Sequence, residues 1–348
     1  MSRRLRRTLS LFVAAGLAVV APGVAVPAAV SATPVVVVCS MITTRVSSVD
    51  GGPVDLKMGG TLCRPDFAPM PHTVLLLVHG ATYTRQVWDW PQNPSTYSFV
   101  QDAVNAGYAT FAVDRLGHGE STHTAAGGLT IQSGTTALHG VVTQLRNGTI
   151  GGSPFGKVVW VGHSLGAVHG YDYGGRYSDI SAFAFAGSAH AMKQSWLNLI
   201  ISSLQPADPT SGYLTTVPGS RAALYYNTAT ADPAVIAQDE VWKDTITYAE
   251  VNTALPLVTG PAAGSPTQGI TVPVLIAMGQ FDNLVCGGSD GMTCTTTSVR
   301  NLELPYFTHA PSVTAQVTAG SGHMLSQHPS APVAHSAMLT WIRGIALP

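Results

Sequence analysis

Lys157-Val158-Val159-Trp160-Val161-Gly162-His163-Ser164-Leu165-Gly166-Ala167-Val168-His169-Gly170 is the stretch that decides how this chain folds. Residues 157–161 are mostly apolar and rich in valine, which reads as a buried strand. The small residues after Leu165 read as a helix. Between them Gly162-His163-Ser164-Leu165-Gly166 has the spacing G-x-S-x-G at a strand-to-helix bend. Such a bend holds the serine backbone in a strained conformation. Glycines two residues to either side let neighbouring chain approach without a Cβ clash. The Ser164 hydroxyl is then expected at the strand's carboxyl end and the helix N-terminus, where developing negative charge is favoured. The same string recurs at Gly287-Gly288-Ser289-Asp290-Gly291. No strand leads into that copy and no helical pattern leaves it, so Ser164 is the candidate nucleophile.

Working outward, strands and helices alternate. Residues 72–78, 108–113 and 180–186 read as apolar strands, and 99–106 and 135–145 as helices. Further on, 272–278 and 313–317 read as strands and 332–345 as a helix. Near-continuous apolar strands alternating with helices predict a mostly parallel α/β sheet flanked by helices on both faces. Within residues 33–71, the stretches 35–38 and 54–63 predict an opening antiparallel pair of strands. Between about 190 and 270 the alternation breaks into short helical pieces and Pro-, Gly- and Thr-rich connections. That is too long for an ordinary loop, and we expect an inserted cap with Trp196, Leu214, Tyr225 and Trp242 among its apolar residues. Most of its aromatic residues would serve the cap's own core.

Apolar residues make up 45% of the 348-residue chain, enough for a sizeable core, and charged residues only 10%. The usual charged share is about a quarter, so disorder and nucleic-acid binding are disfavoured. Arg3, Arg4, Arg6 and Arg7 precede an apolar run and the small-residue site Val30-Ser31-Ala32. This predicts a signal peptide over residues 1–32, secretion, and no stable membrane insertion after cleavage. Cleavage would remove four of the 17 basic residues and none of the 18 acidic ones, leaving 13 against 18, a net charge of −5 with His neutral. Four cysteines remain: Cys39, Cys63, Cys286 and Cys294. An even count in an exported chain predicts disulfides. Three pairings are possible, and we favour the local one, Cys39 with Cys63 and Cys286 with Cys294. No C-x-x-C occurs and no histidine sits at metal-ligand spacing.

A serine hydroxyl needs a base, commonly a histidine oriented by a carboxylate. With this kind of bend the chain order is serine, acid, histidine. Asp282 follows the strand 272–278 in Gly279-Gln280-Phe281-Asp282-Asn283, at the strand end where open α/β sheets place site residues. His323 follows the strand 313–317 on the glycine-rich stretch Ala319-Gly320-Ser321-Gly322-His323. The competing acids are Asp290, deeper in its loop, and Asp208 and Asp232 within the cap. The competing histidines are His163, fixed at the bend, His190, which leads into the cap, and His328, before the last helix. An oxyanion hole needs two backbone N–H groups. Leu165 is the expected donor after the nucleophile. The loop His79-Gly80-Ala81-Thr82 supplies the other, with Ala81 the first choice and Thr82 the second.

The chain resembles the α/β-hydrolase fold serine hydrolases of the secreted esterase/lipase-like branch, over roughly residues 72–345. The resemblance rests on His79-Gly80, on Asp114-Arg115-Leu116-Gly117-His118-Gly119-Glu120-Ser121, on Gly162 to Gly166, on Asp282 and on Gly322-His323. It implies an eight-stranded sheet and hydrolysis of a carboxylic ester or related acyl bond, with no cofactor and no metal. The Asp114–Ser121 stretch is similar to a turn in that family and reads as structural. The part before His72 lies outside the match, and the cap has no substrate-defining pattern. A small apolar ester substrate is expected, with Tyr83, Trp88 and Trp90 beside the cap residues around it. The alternatives are an amide, peptide or lactone hydrolase on the same triad, and a catalytically silent binding homologue. Dehalogenase or epoxide hydrolase chemistry in this fold would place a carboxylate at the bend.

Overall fold

A computed structural model describes residues 35–66 and 69–348; the expected signal peptide lies outside the described residues. Among the described residues eleven strands run in chain order: β1 (Val37–Val46), β2 (Leu56–Pro65), β3 (Thr73–Val78), β4 (Ala109–Val113), β5 (Lys157–His163), β6 (Ala182–Ala186), β7 (Leu204–Pro206), β8 (Tyr213–Thr216), β9 (Ile246–Thr247), β10 (Val274–Gly279) and β11 (Val313–Thr318). Eight of them form one sheet in the order β1-β2-β4-β3-β5-β6-β10-β11. β2 is antiparallel to β1 and to β4, and the other neighbours are parallel. This is the mostly parallel eight-stranded sheet the resemblance implies.

The helices are α1 (Pro94–Tyr97), α2 (Phe99–Asn105), α3 (Ile131–Arg146), α4 (Leu165–Arg176), α5 (Gln194–Ser202), α6 (Arg221–Tyr225), α7 (Pro233–Trp242), α8 (Tyr248–Thr259), α9 (Thr296–Glu303) and α10 (Ala331–Arg343). Alternate strand residues feed two apolar layers. Val74, Leu76 and Val78 of β3, with Val158 and Trp160 of β5, pack on the side of α3 and α4. Leu75, Leu77, Val159 and Val161 pack with α2 and α10. Burial on both faces is why these strands read as continuous apolar runs.

β1 is longer than the sequence predicts. As an edge strand it buries only Thr44 and Val46 toward the core while Thr43 and Arg45 face out, so its second half lacks an apolar run. Its register places Cys39 directly opposite Cys63, and the two are bonded. The second disulfide joins Cys286 to Cys294. Between β6 and β10 the chain forms α5 to α8 and a separate small sheet, β7-β8-β9.

Candidate active site

Ser164 stands between β5 and α4 with φ 52° and ψ −119°, a backbone conformation costly for a residue with a side chain. Its surroundings hold it there. Ser164 N–H donates to the Ala186 carbonyl at 2.8 Å, and its own carbonyl accepts from Ala167 at 2.8 Å. A Cβ at Gly166 would stand 2.1 Å from the Val78 carbonyl oxygen, and one at Gly162 would stand 2.5 Å from that of Gly166. Both positions therefore require glycine.

Asp282 follows β10 and His323 follows β11. Both are buried. The His323 Nδ1 lies 3.1 and 3.0 Å from the two Asp282 carboxylate oxygens. Asp282 is fixed in turn: Oδ1 accepts from Leu284 N–H at 2.9 Å, and its carbonyl accepts from Cys286 N–H at 2.7 Å. The other ring nitrogen, His323 Nε2, is buried with no hydrogen-bond partner among the described residues, in the wall of a cavity that it shares with Ser164, Leu165, Ala81 and Thr82.

The two candidate oxyanion donors in the 79–82 loop are separated by their partners. Thr82 N–H donates to the Thr245 carbonyl at 3.0 Å, which commits it elsewhere. Among the described residues neither Ala81 N–H nor Leu165 N–H has a backbone acceptor. The geometry thus leaves Ala81 and Leu165 available and removes Thr82.

The rest of the cavity wall is mostly apolar, with Ser188 the exception beside the tyrosines. It includes Met192, Trp196, Leu197, Ile200 and Ile201 on and before α5, Val251, Ala254, Leu255 and Val258 on α8, and Tyr83 and Tyr225. Apart from His323, no lining residue has an acidic or basic side chain. Of the aromatic residues expected around the substrate, Tyr83, Trp196 and Tyr225 reach the wall. Trp88 instead packs on Phe99 and Trp90 on Trp242.

The competing acids and histidines have structural partners. Asp290 accepts from Ser195 N–H at 2.8 Å at the start of α5. Asp232 accepts from Ala234 N–H as the cap of α7, and Asp208 closes an exposed turn with Thr210 and Ser211. His190 pairs with buried Glu303 at 2.8 Å. His163 Nε2–H donates to the His323 carbonyl at 3.0 Å. Burial, with a smaller contribution from His323, pushes His163 down to about 3, so it stays neutral.

Two buried charged clusters brace the 79–82 loop, and neither is legible as a cluster in the sequence. In the first, Arg115 donates to the His79 carbonyl at 3.1 Å and to the Gly80 carbonyl at 3.3 Å, and pairs with Glu250 of α8. Burial alone would raise the Glu250 carboxyl. The Arg115 guanidinium, with His118, reverses that and holds it far below the ordinary carboxylate range. The Asp114–Ser121 turn thus has the structural role expected, with Gly119 pressed against the Asp114 carboxylate, but its arginine also reaches the loop. In the second cluster, Arg221 of α6 donates to Thr82 Oγ1 at 3.0 Å and to Asp239 at 2.9 Å. Tyr83 OH donates to the same carboxylate at 3.0 Å. In the sequence Arg115 stands out only as part of the Asp114–Ser121 turn, and Arg221 only as a lone charge ahead of apolar residues, in Arg221-Ala222-Ala223-Leu224-Tyr225.

The model of the alpha/beta hydrolase family matches residues 75–336, and the chain belongs to that family. Solved structures similar in fold include a thermophilic esterase from Thermogutta terrifontis, at 17% identity and TM-score 0.58, which covers 88% of this chain and 99% of that one. The esterase EaEST from Exiguobacterium antarcticum is 16% identical with TM-score 0.59, covering 86% of this chain and 99% of that one. The esterase RhEst1 from Rhodococcus sp. ECU1013 is 16% identical with TM-score 0.54, covering 87% and 99%. At these identities the likeness is one of fold. Compared with the curated proteins, the chain finds no match.

Proposed function

We propose that this chain is an exported serine hydrolase that cleaves small apolar carboxylic esters through an acyl-enzyme. One observation carries the reading. A serine held at positive φ shares an apolar cavity with a histidine whose far ring nitrogen is paired to a buried aspartate. The fold neighbours named as esterases agree with it.

In this reading Ser164 Oγ attacks the ester carbonyl while His323 Nε2 accepts its proton. Asp282 orients the imidazole and stabilises the imidazolium. The tetrahedral oxyanion takes the N–H groups of Ala81 and Leu165, beside the N-terminus of α4. Collapse expels the alcohol with the proton from His323. Water then attacks the acyl-enzyme by the same route and releases the acid. The segment between β6 and β10 serves as a cap whose α5 and α8 shape the apolar site. Two disulfides among the described residues support an oxidising destination.

A fluorophosphonate should label Ser164 alone, mapped by mass spectrometry. Ser164→Ala should lower kcat for p-nitrophenyl butyrate by several orders of magnitude. Labelling at another residue, or parental turnover in the alanine variant, would refute the reading. Export predicts a mature N-terminus after Ala32, read by N-terminal sequencing of the secreted protein.

A further inference from the structure

The loop that carries His323 hangs from the inserted segment as well as from β11. Asn227 Nδ2 donates to the Gly320 carbonyl at 3.0 Å, and Thr230 Oγ1 donates to it at 2.6 Å. Met324 N–H donates to the Tyr225 carbonyl at 3.2 Å. His328 closes the arrangement. Its Nε2 accepts from Gly322 N–H at 3.1 Å and from Asn227 N–H at 3.1 Å. Its Nδ1 faces the Met324 carbonyl at 2.8 Å. Two amide donors on one nitrogen and a carbonyl on the other admit a single state of the ring, neutral with the proton on Nδ1. Burial pushes the ring below its usual range, against the pull of the Met324 carbonyl and of Asp282. The fit is close: a Cβ at Gly322 would stand 2.5 Å from Asn227 N.

We propose that His328 is a positioning residue for His323: it bonds the residue before it, the residue after it and the inserted segment at Asn227, and so fixes where His323 presents Nε2 to Ser164. The proposal rests on the triad reading above. His328 is buried and absent from the cavity wall, so it acts through the backbone of its neighbours and touches no reacting atom. Asp282 sets the direction of the His323 ring; His328 sets the backbone from which that ring projects.

The test compares the parent, Ser164→Ala, His328→Gln and His328→Leu on p-nitrophenyl butyrate, with ¹⁵N NMR of the parent's histidine rings at about pH 7. His328→Leu should lower kcat roughly 10- to 100-fold with KM nearly unchanged, as small displacements of a catalytic group do. His328→Gln, whose amide oxygen can accept from both N–H groups, should recover most of the loss. The parent's His328 should carry its proton on Nδ1 with Nε2 bare. A folded His328→Leu enzyme with parental kcat, or a His328 ring protonated on Nε2, would overturn the proposal. Should His328→Leu not fold, His328→Asn decides the kinetic arm. Its shorter amide reaches the Met324 carbonyl but not the two N–H groups, so the same loss is expected and a parental kcat overturns the idea. Parental turnover in Ser164→Ala would sink the triad reading. An inactive Ser164→Ala beside a fully active His328→Leu would sink the positioning role alone.

Discussion

Thr82 and Ser164 both hold a positive φ, 60° and 52°, and such conformations cost on the order of 1–3 kcal/mol each unless the surroundings impose them. For Thr82 the imposition is visible. Its N–H donates to Thr245 and its carbonyl accepts from Asp244, while Arg221 donates to its hydroxyl. Arg221 and Asp239 are both buried, so neither can lose the other without leaving an uncompensated charge. Arg221→Met is expected to destabilise the fold by about 3–5 kcal/mol in denaturant unfolding. Arg221→Met combined with Asp239→Leu should recover much of that. A double variant as unstable as the single would show that the pair is not the unit that matters.

At the scale of elements, the ring closed by Cys286 and Cys294 serves two neighbours. Cys286 N–H bonds the Asp282 carbonyl, and the ring's Asp290 holds the start of α5. A ring this short contributes roughly 2.6 kcal/mol by loop entropy, against roughly 3.5 kcal/mol for Cys39–Cys63. The double variant Cys286→Ser, Cys294→Ser should therefore melt lower and also lose kcat at temperatures where it remains folded. An unchanged kcat beside a lowered Tm would reduce the ring to a staple. The helices α5 and α8 bring Trp196, Ile200 and Val258 to the cavity, whereas Leu214 lies buried in β8 and is not part of the wall. Trp196→Ala and Ile200→Ala should shift the preference between butyrate and octanoate esters by about 1–3 kcal/mol per lost contact. Leu214→Ala should cost about 2–5 kcal/mol of stability and leave that preference alone. A reversed pattern in a p-nitrophenyl ester series would mean the cavity is not the acyl site.

For the molecule as a whole, buried histidines set the response to acid. Burial, aided by Arg115 and opposed by Glu250, pushes His169 down to about 3, and His163 stands at a similar value. In the unfolded chain each ring takes a proton near its ordinary value of about 6.5. Between about 6.5 and 3 the unfolded state therefore binds more protons, and stability falls as the pH drops through that window. The lowered Glu250 carboxyl adds a loss of the same sign once the pH falls below its ordinary range. The Tm should thus begin to fall near pH 6, and His169→Gln should flatten the drop between pH 7 and 5. A Tm constant over that interval in the parent would contradict this.

How far the sequence reached follows from the range of each interaction. The strand-end positions of Ser164, Asp282 and His323 are legible because each depends on local pattern: an apolar strand, a turn residue at its carboxyl end, and glycines where backbones meet. The sheet was legible because strands buried on both faces leave apolar runs, and the edge strand β1 was cut short because one-sided burial does not. Only the tertiary structure decided that Thr82 N–H is taken by Thr245, that Asp290 and His190 have structural partners, and that Trp88 and Trp90 turn away from the cavity. It alone brought Arg115 to Glu250 and Arg221 to Asp239, and set His328 against the loop of His323. Contacts between residues so far apart in the chain leave no period and no motif. They exist only once the chain has packed.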